Sequence, residues 1–534
     1  MTSDRLRWLL LGVAAVVLVV HSLQYNFITD DAYISFAYAR NFAEHGELVF
    51  NEGQFVEGYT NFLWTLLLGV GMLVDAPPEL IAKILGGIFG VVTLIVTSWT
   101  VNRALGRKSA WSAVPALLLA GSSGFACWTS GGLETQLFTM LIALALDGIV
   151  TAEDVAGEGA LFRAGIALAL AAMTRPEGML VAAVFAIVRI VCNLVARRGI
   201  VGETEVFSSI IFVLIWAPWF AWRYWYYGWL FPNTYYVKAS GKWAAAGMSQ
   251  EMWKQGTYYV WTWLTQTKLF YALPLAGIGM IAARPRTPRF ALGLASALLA
   301  AVYLPYAISV GGDFMGLHRF IMPMFVIAAI AVTLGLEWLV ARLPQAAHKP
   351  AAVAVVVAVL GAYGYFQWQL TRQSLKWGNF ANDRGIDTPA FLIAYTQDRA
   401  TIGKAMEKCF LPTDFSIVGG AGAQPYYARM RSIDVFGLVS ARIAHEEPRI
   451  RARPGHTKFA SDKLLAEYDP TFVFSCYSLH ATPQPPALPC NTAFWIGRGY
   501  EIVTVKIPGL KQSGEYYSFL AKKARNFQCP GRVP

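Results

Sequence analysis

Two adjacent acidic residues, Asp30 and Asp31, follow the first apolar segment and open an amphipathic stretch. Neighbouring side chains on a helix point about 100° apart, so the two carboxylates cannot form one chelating face, and a metal site is disfavoured. One acid can cap a helix over 32–45, which ends at Gly46. The other is free to remove a proton from a substrate hydroxyl, a role worth about 10²- to 10⁴-fold in rate. We favour Asp30 as this catalyst.

Other polar residues that can contact a substrate lie in short segments farther along the chain. Each also has a structural interpretation that the sequence leaves open. Asn61 and Glu134 can cap helices, Arg175 and Glu177 can form an ion pair, and the aromatic loop before Lys238 can be an interfacial belt. The candidate binding residues are Glu57, Tyr59, Asn61, Glu134, Arg175, Glu177, Asn233, Tyr235, Lys238, Asp313, His318 and Arg319.

The segment Gly311–Arg319 is the densest of these candidates. Its glycine pair allows a ligand to approach the backbone closely. His318 and Arg319 can neutralise a phosphate, and Arg319 can do so with two parallel hydrogen bonds. The alternative is that Arg319 extends to lipid headgroups. We favour a functional role, because an acid and two potential cations fall in the same short segment.

These residues require a membrane scaffold. Hydrophobic residues make up 56% of the 534-residue chain and charged residues only 14%, which is typical of a polytopic membrane protein. The formal net charge of +11 comes largely from short basic clusters between apolar runs, so it indicates inner-face loops and no nucleic-acid partner. The first apolar run lacks a small-residue cleavage site and is predicted to be a retained span.

About eleven apolar runs are long enough to cross a bilayer. A twelfth run, 60–75, is shorter and is predicted to lie on the membrane surface, because basic loops then fall on one side and the candidate residues on the other. The predicted spans are 6–24, 79–102, 110–127, 134–151, 160–174, 178–196, 205–224, 268–283, 290–309, 320–341 and 350–368. The sequence thus predicts a transmembrane domain over 1–368 with its candidate site on the extracytoplasmic side.

Residues 369–534 contain no spanning run and are predicted to form a separate extracytoplasmic soluble domain, of α/β or β-rich class. Three short runs, at 415–418, 471–474 and 502–505, look like strands. Four cysteines fit two disulfides in an oxidising compartment, with three possible pairings, and their spacing does not resemble a zinc site. They are Cys409, Cys476, Cys490 and Cys529.

Together these features resemble the GT-C glycosyltransferases, which use polyprenyl-phosphate sugars. More narrowly, six segments in order resemble the terminal β-(1→2)-arabinofuranosyltransferases of mycobacterial cell-wall assembly and their wider bacterial relatives. They are Asp30–Phe36, Glu57–Asn61, Gly131–Thr135, Arg175–Gly178, Phe231–Thr234, and Gly311–Asp313 with His318–Arg319. The resemblance covers the whole membrane part. In the tail it is limited to Asp434–Leu438 and Arg453–Lys458.

The resemblance implies transfer of arabinofuranose from decaprenyl phosphate to an arabinan chain end, at the periplasmic face of a bacterial inner membrane. Asp30 or Asp31 would be the catalyst, with His318, Arg319 and Lys238 near the donor phosphate. The tail resembles a carbohydrate-binding module in position. No cofactor is implied with certainty, and a divalent cation is left open. An aspartate base suits inversion, whereas a β-linked product from a β-configured donor implies retention.

Two other functions fit the same architecture. A hexose donor, or a lipid or protein acceptor, changes only the substrates. A lipid or glycan transporter would instead require charges or broken helices in the middle of the spans. Lys83, Asp147, Arg189 and Glu337 all fall toward span ends, which counts against a proton-coupled carrier.

Overall fold

The computed structural model describes residues 3–154, 159–376, 385–450 and 452–533. Up to residue 376 these residues are predominantly helical. The helices are α1 (Ser3–Tyr25), α2 (Ala32–His45), α3 (Phe62–Met72), α4 (Pro78–Leu105), α5 (Val114–Gly121), α6 (Ser123–Ser130), α7 (Thr135–Thr151), α8 (Ala160–Thr174), α9 (Glu177–Ala196), α10 (Glu203–Tyr227), α11 (Asn233–Lys238), α12 (Met248–Gln266), α13 (Leu269–Ile281), α14 (Pro288–Ser309), α15 (Met322–Val340) and α16 (Gln345–Ser374), with 3-10 turns at Ala110–Ala113 and Arg319–Ile321.

Among the described residues, seven helices are long and apolar enough to cross a membrane, or eight if the pair α5–α6, bent by 66° at Ser122, is one span. Four shorter apolar helices, α3, α7, α8 and α13, accompany them. Each of the eleven predicted spans coincides with a helix or with the bent pair. The predicted polytopic helical class is confirmed, and the number of crossings stays a prediction.

Two acidic residues near span ends, Asp147 of α7 and Glu337 of α15, are paired with arginines at neighbouring helix ends or in the loop after α4. Arg103 Nε donates to Asp147 Oδ1 at 3.1 Å, and Arg107 Nη2 donates to Glu337 Oε1 at 3.0 Å. Arg289 reaches the other oxygen of Glu337 at 3.3 Å. These acids are therefore neutralised where the sequence placed them, at the ends of helices.

The described residues from 385 onward fold around a five-stranded mixed sheet, which fits the predicted α/β or β-rich class. The strands are β1 (Phe415–Val418), β2 (Arg431–Asp434), β3 (Phe472–His480), β4 (Tyr500–Lys506) and β5 (Tyr516–Lys522), in the order β2-β1-β3-β5-β4. β1 is parallel to both β2 and β3, and β5 is antiparallel to both β3 and β4. The helices here are α17 (Pro389–Met406), α18 (Ala423–Ala428), α19 (Ala441–Glu446), α20 (Asp462–Ala466) and α21 (Thr492–Ile496), with 3-10 turns at Glu407–Cys409 and Lys523–Arg525.

The predicted strand runs coincide with β1, β3 and β4, whereas β2 and β5 were not predicted. Ile417 and Val418 of β1 enter separate apolar clusters. Disulfides join Cys409 to Cys529 and Cys476 to Cys490, while Cys127 and Cys192 are free and buried among the helices.

Candidate active site

A cavity of about 290 Å³ lies between loops at one end of the helices and the C-terminal domain. Most of the candidate binding residues line it. Its polar lining residues are Asp31, Ser35, Tyr59, Thr60, Asn61, Glu134, Arg175, Glu177, Thr234, Tyr235, Lys238, Tyr306, Asp313 and Arg319. Glu57, Asn233, His318 and Asp30 do not line it.

The Asp31 side chain enters the cavity at the start of α2. The predicted helix 32–45, ending at Gly46, is confirmed. The prediction that one acid caps it is wrong, because Asp31 occupies the N-cap position without a side-chain capping bond. No described residue donates a hydrogen bond to its carboxylate. Burial raises the pKa of Asp31, and the positive charges of Arg319 and Lys238 oppose that rise.

The other carboxylates of the cavity are already bonded. Arg175 Nη1 donates to Glu134 Oε1 at 2.9 Å, and Arg175 Nε donates to Glu177 Oε2 at 3.3 Å. Asn61 Nδ2 donates to the second oxygen of Glu134 at 2.9 Å. Asn61 and Glu134 occupy N-cap positions, yet neither side chain forms a capping bond. Arg175 is thus the centre of a fixed polar wall.

The approach of two loops places this wall beside Asp31. The amide of Thr29 donates to the carbonyl of Gly131 at 3.1 Å. Gly132 has φ +85°, and a Cβ there would lie 3.0 Å from the Cβ of Ala32. Only glycine fits this turn without strain, so the predicted glycine pair brings Glu134 close to the start of α2.

The two candidate cations of the glycine-rich segment, Arg319 and His318, lie in different surroundings. Arg319 lines the cavity, and its Nε donates to Asp313 Oδ2 at 2.6 Å. Leu317 and His318 have φ of 61° and 63°, in the left-handed region. This turn directs His318 away from the cavity, where its Nε2 lies 2.9 Å from Gln266 Oε1. Burial lowers the pKa of His318 to about 3, so it is neutral at physiological pH.

The aromatic loop contributes Tyr235 and Lys238 of α11 to the cavity. Asn233, at the start of this helix, instead joins the two parts of the chain. Its Nδ2 donates to the carbonyls of Gly437 at 2.6 Å and Leu438 at 2.8 Å. Asn233 therefore fixes the position of α11 and does not contact the cavity directly.

Glu57 and Tyr59 have different surroundings although they are two residues apart. The carboxylate of Glu57 is buried in an ion pair with Arg223 of α10. Arg223 also donates to the carbonyl of Leu230 at 2.8 Å. Tyr59 lines the cavity, and its hydroxyl lies 3.0 Å from that of Tyr227. Glu57 is thus a partner of the helix that leads into the aromatic loop.

The C-terminal domain supplies part of the cavity wall through Leu438, Pro454 and Gly455. Arg453 holds this segment, since its Nη1 donates to Asp387 Oδ2 at 2.8 Å. The candidate list lacked these residues, although the resemblance included Asp434–Leu438 and Arg453–Lys458. It also lacked Tyr306, Phe314 and Phe320, which apolar runs do not distinguish from core residues.

Within the described ranges, no three His, Cys, Asp or Glu side chains form a group suited to a metal ion. Glu134 and Glu177 are bonded to Arg175 and Asp313 to Arg319, so these carboxylates are neutralised by arginine. The donor set does not fit a divalent cation, and we derive no step through one.

The chain has a curated relative in the terminal β-(1→2)-arabinofuranosyltransferase of Mycobacterium tuberculosis. The two are 25% identical over a match that covers 60% of this chain and 54% of the relative. This chain therefore spans about half the length of that relative in the match. No family model matches it.

Solved structures with a similar fold include ArnT from Cupriavidus metallidurans bound to undecaprenyl phosphate, with a TM-score of 0.58 and 14% identity over 96% of this chain and 97% of that one. The Archaeoglobus fulgidus oligosaccharyltransferase, in complex with zinc and sulfate, has a TM-score of 0.52 and 12% identity over 80% of this chain and 62% of that chain. The predicted GT-C fold is confirmed.

Proposed function

We propose that this protein is a membrane glycosyltransferase that transfers a sugar from a polyprenyl-phosphate donor to a hydroxyl of an extracytoplasmic glycan. The observation that carries the proposal is the state of Asp31. Among the carboxylates that line the cavity, it alone has no hydrogen-bond donor in the described residues, and it shares the cavity with Lys238 and Arg319. A carboxylate that accepts no hydrogen bond and shares its cavity with two cations is suited to act as a general base near a phosphate leaving group.

The proposed reaction assigns a role to each side of the cavity. Asp31 takes the proton from the acceptor hydroxyl, whose oxygen bonds to the anomeric carbon of the donor sugar. The bond between that carbon and the phosphate oxygen breaks, and Lys238 and Arg319 stabilise the departing polyprenyl phosphate. The cavity placement moves our catalytic assignment from Asp30 to Asp31.

The wall formed by Glu134, Arg175 and Asn61 is suited to orienting the sugar. Its charged groups hold one another in fixed positions, with Glu134 bonded at both oxygens. Bonded carboxylates and amides of this kind can exchange hydrogen bonds with sugar hydroxyls. Because both oxygens of Glu134 already accept hydrogen bonds, this carboxylate is not available as a second base. We assign these residues, with Tyr59, Glu177, Tyr235 and Asp313, to donor and acceptor positioning.

The proposed substrates are decaprenyl-phosphate arabinofuranose and an arabinan chain end, in a bacterial inner membrane with the cavity on the periplasmic side. The name of the mycobacterial relative supports the sugar. The undecaprenyl phosphate bound to ArnT supports the chemistry of the lipid. Predicted inner-face basic loops support the orientation. The C-terminal domain, 369–534, is proposed to bind the glycan acceptor.

The decisive experiment is an in vitro transfer assay with the purified protein in lipid nanodiscs. Radiolabelled decaprenyl-phosphate arabinofuranose and an arabinan oligosaccharide should give a labelled, lengthened oligosaccharide. Transfer from a hexose donor alone would contradict the choice of arabinose, and absence of transfer from every polyprenyl-phosphate sugar would contradict the glycosyltransferase function. The anomeric configuration of the product tests the mechanism, because a base at Asp31 predicts inversion and a nucleophile predicts retention.

A further inference from the structure

Asp30 points out of the cavity and into the C-terminal domain. Its Oδ1 accepts a hydrogen bond from the backbone amide of Ala423 at 2.8 Å, across 393 positions of sequence. Ala423 begins α18, the short helix between β1 and β2. The carboxylate next to the proposed base is therefore a contact between the two parts of the chain.

The fit at this contact depends on a missing side chain. A Cβ at Gly422 would overlap Asp30 Oδ2 and Cγ and would lie 2.5 Å from the Asp30 carbonyl oxygen. Since one of these atoms belongs to the backbone, a rotamer change of Asp30 cannot relieve the overlap. The C-terminal domain thus contacts the main chain of residue 30, immediately before Asp31.

Two more contacts extend this interface along α2. The Tyr33 hydroxyl lies 3.3 Å from the Tyr427 hydroxyl, and Arg40 Nη1 donates to the carbonyl of Tyr426 at 2.9 Å. The guanidinium of Arg40 also lies 4.7 Å from the Tyr426 ring centre. One side of α2 therefore rests on α18 while Ile34 and Ser35 face the cavity.

We infer that Asp30 is a positioning residue, which fixes the backbone bearing Asp31 by binding the Gly422–Ala423 turn, so that the seating of the C-terminal domain sets the position of the base. The inference rests on the proposed function. It separates the two acids by role: Asp31 meets the substrate, and Asp30 meets the protein.

The geometric part is tested without any activity measurement. Hydrogen–deuterium exchange of the 534-residue chain in nanodiscs should be faster at 28–36 and 419–428 in Gly422→Ala than in wild type. Gly361→Ala is the matched control, because Gly361 has open space around its Cβ position. Equal exchange in Gly422→Ala and wild type at both segments would overturn the inference.

The functional part compares three substitutions in the transfer assay. Asp30→Asn keeps an oxygen that can accept from Ala423 and should retain most of the wild-type kcat. Asp30→Ala and Gly422→Ala should lower kcat by about 10- to 100-fold at a nearly unchanged donor KM, since small misplacement of a catalytic group has effects of this size. Gly361→Ala should match wild type.

The outcomes separate this inference from the proposed function. An Asp30→Asn variant as inactive as Asp31→Asn, with wild-type exchange, would overturn the inference by giving Asp30 a direct chemical role. Wild-type kcat in Asp30→Ala would overturn it as well. A wild-type protein that transfers no sugar contradicts the proposed function, and the exchange comparison still decides whether Gly422 couples the two segments.

Discussion

Nε of Arg319 donates a hydrogen bond to Oδ2 of Asp313 at 2.6 Å, while its two Nη groups have no hydrogen-bond partner among the described residues. Asp313 thus holds the guanidinium by one edge. The other edge is available to the cavity that Arg319 lines. An arginine restrained in this way is suited to binding a phosphate through two parallel hydrogen bonds.

Replacement of Arg319 should weaken donor binding. Arg319→Gln removes a charge-assisted contact worth about 1.5–3 kcal/mol, so we expect the donor KM to rise by about 10- to 100-fold. His318→Asn should change this KM far less, because His318 contacts Gln266 outside the cavity and asparagine tolerates the left-handed backbone. Steady-state kinetics with varied donor measure both. Equal increases in donor KM for the two variants would instead indicate that His318 contributes to the phosphate site.

Replacement of Asp31 should abolish catalysis without unfolding the protein. Asp31→Asn keeps the size of the side chain and removes the proton acceptor, so transfer should fall by about 10²- to 10⁴-fold. Asp75→Asn is the control, since Asp75 is exposed in the loop before α4. Initial rates and size-exclusion profiles are the measurements. An Asp31→Asn variant with wild-type rate would eliminate Asp31 as the base.

The acid limb of the pH profile should depend on Lys238. Burial raises the pKa of Asp31, and Arg319 and Lys238 hold it down by favouring the carboxylate. Lys238→Gln removes one of these charges, so the Asp31 pKa rises further and a higher pH is needed to form the base. The acid limb of kcat/KM should therefore move to higher pH. Lys463→Gln, on the exposed side of α20, should leave it in place.

Arg223 should matter for stability more than for transfer chemistry. Arg223→Met leaves the Glu57 carboxylate buried without its partner, which costs about 3–5 kcal/mol in ion pairs of this kind. Arg429→Met breaks an exposed pair with Glu44 and should cost about 0–1 kcal/mol. Thermal unfolding in detergent compares the two.

The double variant Glu57→Leu/Arg223→Met completes this test. It removes both charges, so it should regain most of the stability lost in Arg223→Met. A stable Glu57→Gln variant that no longer binds donor would instead give Glu57 the substrate contact that its sequence position suggested.

Local sequence patterns predicted most of the architecture but not the direction of individual side chains. Apolar runs and turn residues are local, so each predicted span coincides with a helix or with the bent pair α5–α6, and α2 begins and ends where expected. Asp30 faces the protein because Gly422, almost 400 positions later, lies against it. The His318 side chain points away from the cavity because Leu317 and His318 both adopt positive φ. The sequence did not predict this backbone conformation, which a bulky residue such as leucine rarely adopts.

The same reason explains the site residues that stand outside the cavity. Glu57 is paired with Arg223, 166 positions away, and Asn233 with carbonyls 204 and 205 positions away. Polar residues at loops look alike in a sequence whether they bind a ligand or another loop. Only the packing of distant segments distinguishes them.

Because Leu438, Pro454 and Gly455 complete the cavity, the C-terminal domain is not a detachable accessory. A chimera that exchanges this domain for that of a relative would therefore also replace part of the cavity wall. Substitutions at Leu438, Pro454 and Gly455 would change the cavity lining without replacing the whole domain. The shape of the cavity consequently depends on how both parts of the chain fit together.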